Sequence, residues 1–511
     1  MKRTADRILI GLFAVLLVLP FVTADFQGGA VSEVEQRYLS EAPDWQDPSN
    51  FAQSYESWID DNVGGRSLAL EAYSLLLYHV FHTSPKPNVL LGRDGWQFYY
   101  TDEMLDDFAG LQLPAEDLIA MCEQSLMRIH SYLEDMGIHM ICMLLPDKKT
   151  IYPEYYPMGI RHVQGETRTD MIDTWMLENS KLDYMNLRDT LLNYKVFGQL
   201  YYARQDSGHW NPLGAYVAVV ELCKHLDIPV MPLYACEVAW STETTRLNGV
   251  IRLTENVPVV ISGQEATVIE DHDFMDRFSG LSYAHNPDDF RRHYRNTVTS
   301  KPSLLYVGDS YSVCALPYLA QYFGETTFLH FSDLDSFTEL VEELDPDYVL
   351  FESVERMLST TLCQNWEKVA QRITLNQLDP ETIRSLPEEG LWEAELYVDS
   401  CNGVLTRGST ELSVPPKEDV CTVRGWAADP LLERNAGCLL FEGGGQSMIV
   451  SCDRQRKDVA DQFDTTGYLW SGFLADLPNE LAYAPEGMDI TVVSWDGSFR
   501  YPAFHLSLKR P

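Results

Sequence analysis

Basic residues are what this sequence has least of. Its 511 residues include 38 Lys and Arg against 76 Asp and Glu, a formal net charge of −38. A chain with that field repels polyanions, so nucleic acid is excluded as a natural partner. A strongly anionic polysaccharide is disfavoured as well, unless a local basic groove overrides the mean. The sequence has no internal repeat and no low-complexity tract. It has no HExxH, no Walker-type loop and no dinucleotide fingerprint, so no metal and no nucleotide cofactor is expected. Its ten cysteines contain no CxxC pair and no zinc-ligand spacing.

A hydrophobic fraction of 45% and an aromatic fraction of 12% are those of a filled globular core. The length suits two or three domains. At the N-terminus Lys2, Arg3 and Arg7 precede an apolar run from Ile8 to Ala24. The run is shorter than the roughly 20 residues a membrane helix needs, and Pro20 interrupts it. Val22-Thr23-Ala24 has the small-residue character of a cleavage site. Residues 1–26 are therefore read as a signal peptide or an uncleaved signal anchor. Both put the rest of the chain outside the cytoplasm, secreted or tethered to the membrane. In that compartment one or two disulfides are expected among Cys401, Cys421, Cys438 and Cys452, with the pairing open. Cys122, Cys142 and Cys223 sit in apolar patterns and read as small buried hydrophobes.

Residues 27–378 alternate helices with short apolar strands. Arg66–His82 and Glu116–Met136 have helical spacing; Ile138–Leu145, Leu304–Val307 and Asp347–Phe351 read as buried strands. Helices over 314–323 and 335–344 separate the last two of these. The pattern predicts an α/β fold, a parallel sheet flanked by helices. Beyond Leu378 prolines punctuate short strands, and Gly443-Gly444-Gly445 and Asp496-Gly497 mark hairpins. Residues 385–511 read as a separate β-sandwich.

Two segments carry chemistry. In Leu305-Tyr306-Val307-Gly308-Asp309-Ser310 a serine follows a buried strand and opens a helix. There a hydroxyl stands at the carboxyl end of a sheet, where α/β folds form clefts, beside the free N–H groups of a helix start. Gly308 allows close approach of the backbone, and with Asp309 it is a candidate for the oxyanion or cleft region. A serine there can equally be a helix cap. It needs a base to act as a nucleophile. Asp206-Ser207-Gly208-His209-Trp210-Asn211-Pro212 offers one: Asn211 and Pro212 form a helix start, fixing His209 just ahead of it, and Asp206 is placed to orient the imidazole. Taken alone, such a DxxH is a common structural hydrogen bond.

Four stretches occur in one order: Gly92-Arg93-Asp94-Gly95-Trp96, Pro146-Asp147-Lys148, His209-Trp210 and Gly308-Asp309-Ser310, the last with Leu316, Pro317 and Leu319. The series resembles the AlgX/AlgJ alginate O-acetyltransferase-like SGNH hydrolase family and its DHHW-type relatives, over roughly residues 35–360. The resemblance implies an SGNH-hydrolase-like fold with acid and base ahead of the serine. It also implies an acyl-Ser310 intermediate and transfer of an acetyl group to a polysaccharide hydroxyl outside the cytoplasm. A membrane-bound O-acyltransferase would be the partner that supplies the acetyl group. The family tends to place its acid two residues before the His-Trp pair, where this chain has Ser207; Asp206 stands one further back, at the spacing of ordinary SGNH hydrolases.

Arg93, Trp96, Lys148 and Arg356 are cleft candidates, each of which also reads as a turn or ion-pair residue. The C-terminal segment is similar to a module of surface carbohydrate enzymes, through Gly425-Trp426-Ala427-Ala428-Asp429, Ser471-Gly472-Phe473 and Trp495-Asp496-Gly497. Trp426 and Trp495 are its candidates for stacking on sugar, or else sandwich core. The expected activity is acetyl transfer through acyl-serine. The alternatives are a carbohydrate O-acetylesterase, in which water resolves the same intermediate, and a non-catalytic glycan-binding protein.

Overall fold

The computed structural model describes residues 31–32, 37–44, 50–111, 116–157, 165–271, 274, 292–357, 360–417 and 420–511, with Gly159 and isolated positions between 7 and 24. The signal segment lies for the most part outside the described residues. Among the described residues no helix is long and apolar enough to cross a membrane. The chain divides into two compact units. One comprises Met1–Leu111, Pro146–Gly165 and Arg188–Gly263; the other comprises Gln112–Leu145, Glu166–Leu187 and Gln264–Pro511.

The second unit holds a mixed seven-stranded sheet. Its strands are β1 (His139–Leu145), β2 (Asp183–Asn186), β3 (Val268–Glu270), β4 (Arg292–Asn296), β5 (Leu304–Gly308), β6 (Glu325–His330) and β7 (Tyr348–Val354), in the order β2-β1-β7-β5-β6-β4-β3. The first five in that order run parallel, and β4 and β3 close the far edge antiparallel. The centre of the sheet is buried on both faces, which is why β1, β5 and β7 read as apolar runs without alternation. Helices α1 (Glu116–Asp135), α2 (Arg168–Asn179), α3 (Ser312–Leu319), α4 (Phe337–Leu344) and α5 (Thr360–Asn376) accompany it. Leu126, Ile129 and Leu133 of α1, Leu340 and Val341 of α4, and Val369 and Ile373 of α5 join Leu305, Val307 and Phe351 in one core. By the two-residue period of a strand, Leu304 and Tyr306 point to the opposite face.

The C-terminal part of this unit is a sandwich of two five-stranded sheets. One contains β8 (Glu395–Cys401), β9 (Val420–Asp429) and β12 (Gly472–Pro478); the other contains β10 (Cys438–Gly443), β11 (Gln446–Ser451), β13 (Met488–Val493) and β14 (Phe504–Lys509). Val423, Ala427 and Phe473 of the first sheet meet Leu439, Phe441, Ile490 and Leu506 of the second in a common core.

Arg434 ties the sandwich to α1 and α5. Its guanidinium pairs with Glu367 at 2.9 Å, with side-chain exposures of only 1% and 4%. It donates to Gln124 Oε1 at 3.0 Å and Ser125 Oγ at 3.3 Å, and stands 4.0 Å from the Trp495 ring centroid. Trp495 itself belongs to the core of the parallel sheet.

The cysteines depart from expectation. Cys401, Cys421, Cys438 and Cys452 are free thiols, not disulfides. All four are buried and fill space as small apolar groups. Cys122, expected as such a group, is instead disulfide-bonded, whereas Cys142 and Cys223 are buried thiols outside any disulfide, as expected.

The first unit contains the helix Arg66–His79, a short hairpin of Val89–Leu91 with Gln97–Tyr99, and the buried helix Pro212–His225. It also contains a long antiparallel hairpin, Glu237–Leu247 with Ile251–Ile261. Inward positions of the second hairpin strand are Ile251, Leu253, Glu255 and Val257, so one member of an otherwise apolar row is a carboxylate.

Two outcomes follow. Arg434→Ala is expected to destabilise the second unit by about 3–5 kcal/mol in chemical unfolding, because it strands a buried carboxylate. Arg434→Met with Glu367→Leu should recover most of that loss. Burial pushes the thiols of Cys142, Cys401 and Cys438 up to about 12. Alkylation of the native protein at pH 8 followed by peptide mass analysis should therefore leave these three unmodified, while alkylation in denaturant modifies them.

Candidate active site

In the first unit the His209 turn is built by its own carboxylate. Asp206 Oδ1 accepts the N–H of Gly208 at 2.6 Å and of His209 at 2.7 Å, and lies 2.9 Å from His209 Nδ1. Burial alone would raise the Asp206 carboxyl, but the imidazole's charge and hydrogen bond and the two backbone donors hold it well below the usual carboxylate range. Ionised Asp206 can only accept, so Nδ1 carries the proton toward it and Nε2 is the nitrogen left for chemistry. Asp206, and not Ser207 at the position the family pattern favours, is the residue on the imidazole.

Downstream, Asn211 Oδ1 caps Pro212–His225 by accepting from Leu213 and Gly214 N–H. Asn211 Nδ2 donates to the Gln199 carbonyl, and Trp210 is fully buried. A Cβ on Gly214 would lie 2.2 Å from the Leu200 carbonyl oxygen, so only glycine fits there.

Upstream, the turn is held from two sides. Glu255, at its inward position, accepts the N–H groups of Ala203, Arg204 and Gln205 at 2.7, 2.8 and 2.9 Å and the side-chain amide of Gln199. The Gln97–Tyr99 strand lies along the same loop: Gln97 N–H donates to the Ala203 carbonyl and Tyr99 N–H to the Ser207 carbonyl. Lys148 Nζ donates to the Asp206 carbonyl at 2.9 Å.

Two of the cleft candidates are thereby placed inside the unit. Trp96 is buried, stacked on Tyr155 with ring centroids 4.3 Å apart, and Lys148 is 2% exposed with its ammonium 5.4 Å from the Trp96 and Phe98 ring centroids. Arg93 is exposed and helps line a cavity of about 490 Å³ with Tyr78, His82 and Pro157.

In the second unit Ser310 stands in the turn between β5 and α3, two residues past Gly308 and two before Ser312. A carboxylate again shapes the turn. Asp309 Oδ1 accepts from Tyr311 N–H at 2.9 Å and Oδ2 from Val354 N–H at 3.1 Å, which fastens the turn to the end of β7. Asp309 N–H in turn donates to Glu352 Oε2. Glu352 is fully buried; burial and the nearby Asp309 carboxyl raise its own carboxyl well above the usual range. A Cβ on Gly308 would lie 2.4 Å from Glu352 Oε2 and 2.9 Å from the Tyr306 ring, so the glycine makes room for the carboxyl behind the turn.

Asp309 thus locks the turn: both its carboxyl oxygens accept backbone N–H groups, and its own N–H is engaged by Glu352. Arg356 Nη1 donates to the Tyr311 hydroxyl at 3.2 Å, with its guanidinium 5.0 Å from that ring's centroid. The sugar-stacking candidates are both internal. Trp426 is 9% exposed and clusters with Val459 and Tyr468, and Trp495, 5% exposed, has its face covered by Arg434.

Asp206, His209, Lys148 and Trp96 therefore belong to one compact unit, and Gly308, Asp309 and Ser310 to the other. Glu255 and Glu352 are the two shaping residues to which the sequence assigned no role. For Glu255 a signal existed, namely a lone acid in the inward register of an alternating strand; Glu352 follows an apolar strand run and carries no such mark.

Residues 89–250 match the family model described as SGNH hydrolase-like domain, acetyltransferase AlgX. The match spans Trp96, Lys148, Asp206 and His209 and ends before Glu255 and Ser310. Solved structures similar to this chain include Bacillus cereus PatB1 with a sulfonyl adduct, 16% identical over 53% of this chain and 95% of that one, with a TM-score of 0.38. The O-acetyltransferase domain of Pseudomonas putida AlgJ is 16% identical over 58% of this chain and 97% of that one (TM-score 0.33). Pseudomonas aeruginosa AlgX is 14% identical over 80% and 91% (TM-score 0.36). No curated protein matches the chain. Over residues 89–250, about a third of its length, this chain is similar to the SGNH hydrolase-like acetyltransferase domain of AlgX.

Proposed function

We propose that this protein is an extracytoplasmic O-acetyltransferase that passes an acetyl group through acyl-Ser310 to a polysaccharide hydroxyl. His209 serves as the base and Asp206 as its orienting acid. The observation that carries the reading is the Asp206–His209 pair. An ionised carboxylate 2.9 Å from Nδ1 fixes the tautomer in which Nε2 is a proton acceptor. The family match over that segment and the Gly308-Asp309-Ser310 turn at the end of a central parallel strand support it. The basic flank and apolar run at the N-terminus support export.

In the first half-reaction Nε2 takes the Ser310 hydroxyl proton as Oγ attacks the acetyl carbonyl. The tetrahedral intermediate then expels the donor's oxygen or sulfur, which leaves with that proton, and Ser310 is left as an acetyl ester. In the second, Nε2 takes the proton of a sugar hydroxyl as it attacks the ester. Ser310 Oγ leaves and recovers the proton, and the sugar ester is released. A membrane-bound O-acyltransferase is the proposed source of the acetyl group.

The three-residue spacing from Asp206 to His209 is that of ordinary hydrolases of this fold, and it favours an O-acetylesterase as the second reading, with water in place of the sugar.

Wild type, Ser310→Ala and His209→Ala are to be compared for acetyl transfer from an activated acetate ester to neutral and uronic-acid oligosaccharides. Loss of about a thousandfold or more is expected for each variant, with an acetyl group found on the Ser310 peptide of rapidly quenched wild type and on neither variant. Acetate release without acetylated sugar would move the assignment to esterase. Full activity in Ser310→Ala would overturn the reading.

A further inference from the structure

Lys148 is a cation in the wrong place for stability. Its side chain is 2% exposed, it makes no ion pair at salt-bridge distance among the described residues, and two aromatic rings stand over it. The charged groups that face it are Asp206, on the base's own turn, and Glu255, on the hairpin strand Ile251–Ile261. Beside it stand the rings of Trp96 and Phe98, each with its centroid 5.4 Å from Nζ. Its neighbour in sequence, Lys149, is occupied by Asp147 at 3.1 Å. Burial pushes the Lys148 ammonium down to about 7, against the pull of Asp206 and Glu255. A buried ammonium held this way costs the fold stability, and such costs concentrate at functional sites. Among the described residues the one hydrogen bond it donates, at 2.9 Å, goes to the main-chain carbonyl of Asp206, the residue whose carboxylate orients His209.

We propose that Lys148 is a positioning residue for the base: its ammonium fixes the Asp206 main chain, and through it the carboxylate that aims the His209 imidazole. Glu255 completes the frame from the other side by holding the N–H groups of Ala203, Arg204 and Gln205. The loop leading to the base is thus gripped by a cation at a carbonyl and an anion at three amides, and a shift of either moves the imidazole. This role rests on His209 being the base.

The test is Lys148→Met, which keeps the apolar stem and removes the donor and charge, assayed beside Ser310→Ala in acetyl transfer. The expected result is a kcat lower by about tenfold to a hundredfold with KM for the oligosaccharide unchanged. Wild type should also show a decline in rate as pH rises through about 7, where the ammonium gives up its proton, and Lys148→Met should lack that limb. Stability moves independently. Because the folded state holds the lysine proton more weakly than the unfolded chain, wild type gains stability relative to Lys148→Met as pH rises from about 7 toward 10. The Tm advantage of the variant is therefore largest at or below pH 7 and shrinks above it. A Lys148→Met enzyme with wild-type kcat and pH profile, while Ser310→Ala is dead, would sink this role and leave the proposed function standing. So would a wild-type rate that climbs without a limb from pH 6 to 10, a measurement that needs no variant. Full activity of Ser310→Ala would instead remove the reading on which the role depends.

Discussion

Backbone donors that leave regular structure must find acceptors inside the protein, and that constraint shapes both segments that carry chemistry. In each, a carboxylate answers it. Asp309 collects the N–H groups of Tyr311 and Val354 at the end of β5, and Asp206 collects those of Gly208 and His209 ahead of the Pro212–His225 helix. A second acid stands behind each one. Glu352 accepts from Asp309 N–H, and Glu255 takes three N–H groups from the loop before Asp206. The two rear acids differ in their surroundings. Glu352 is wholly buried beside another carboxyl group, which with burial raises its own well above the usual range, whereas Glu255 sits among backbone donors and faces Lys148.

What could be read from the sequence was what is local. The strand–Gly-Asp-Ser–helix run, the Asn-Pro helix start after His209 and the strands of the parallel sheet each follow from neighbours in the chain, and their edges fall within a few residues of expectation. The rear acids are set by partners 43 to 56 residues away, and nothing in a local window reports a hydrogen bond of that reach. The hairpin Glu237–Ile261 went unread for another reason: its threonines, glutamates and arginines look like loop. The alternation that makes it a ribbon shows only once the inward row Ile251, Leu253, Glu255, Val257 is lined up.

Aromatic residues misled in the opposite direction. Trp96, Trp426 and Trp495 look like residues that line a cleft or stack on a ligand, yet each is covered, by Tyr155, by Tyr468 and Val459, and by Arg434. Sequence does not tell a tryptophan that packs inward from one that faces a ligand. Cysteine was subject to the same ambiguity. Four thiols close together in sequence suggested cross-links, but in the sandwich they are buried and serve as filler.

The Arg434 junction bears on how the C-terminal sandwich can be regarded. Its guanidinium is shared by Glu367, Gln124 and Ser125, and the indole it covers is counted in the core of the parallel sheet. Severing the chain near residue 385 would leave an ionised glutamate facing an apolar hollow on one fragment and an orphaned guanidinium on the other. The sandwich is therefore a wall of the neighbouring layer, inherited with it, and not a tool that evolution could unclip and exchange at small cost.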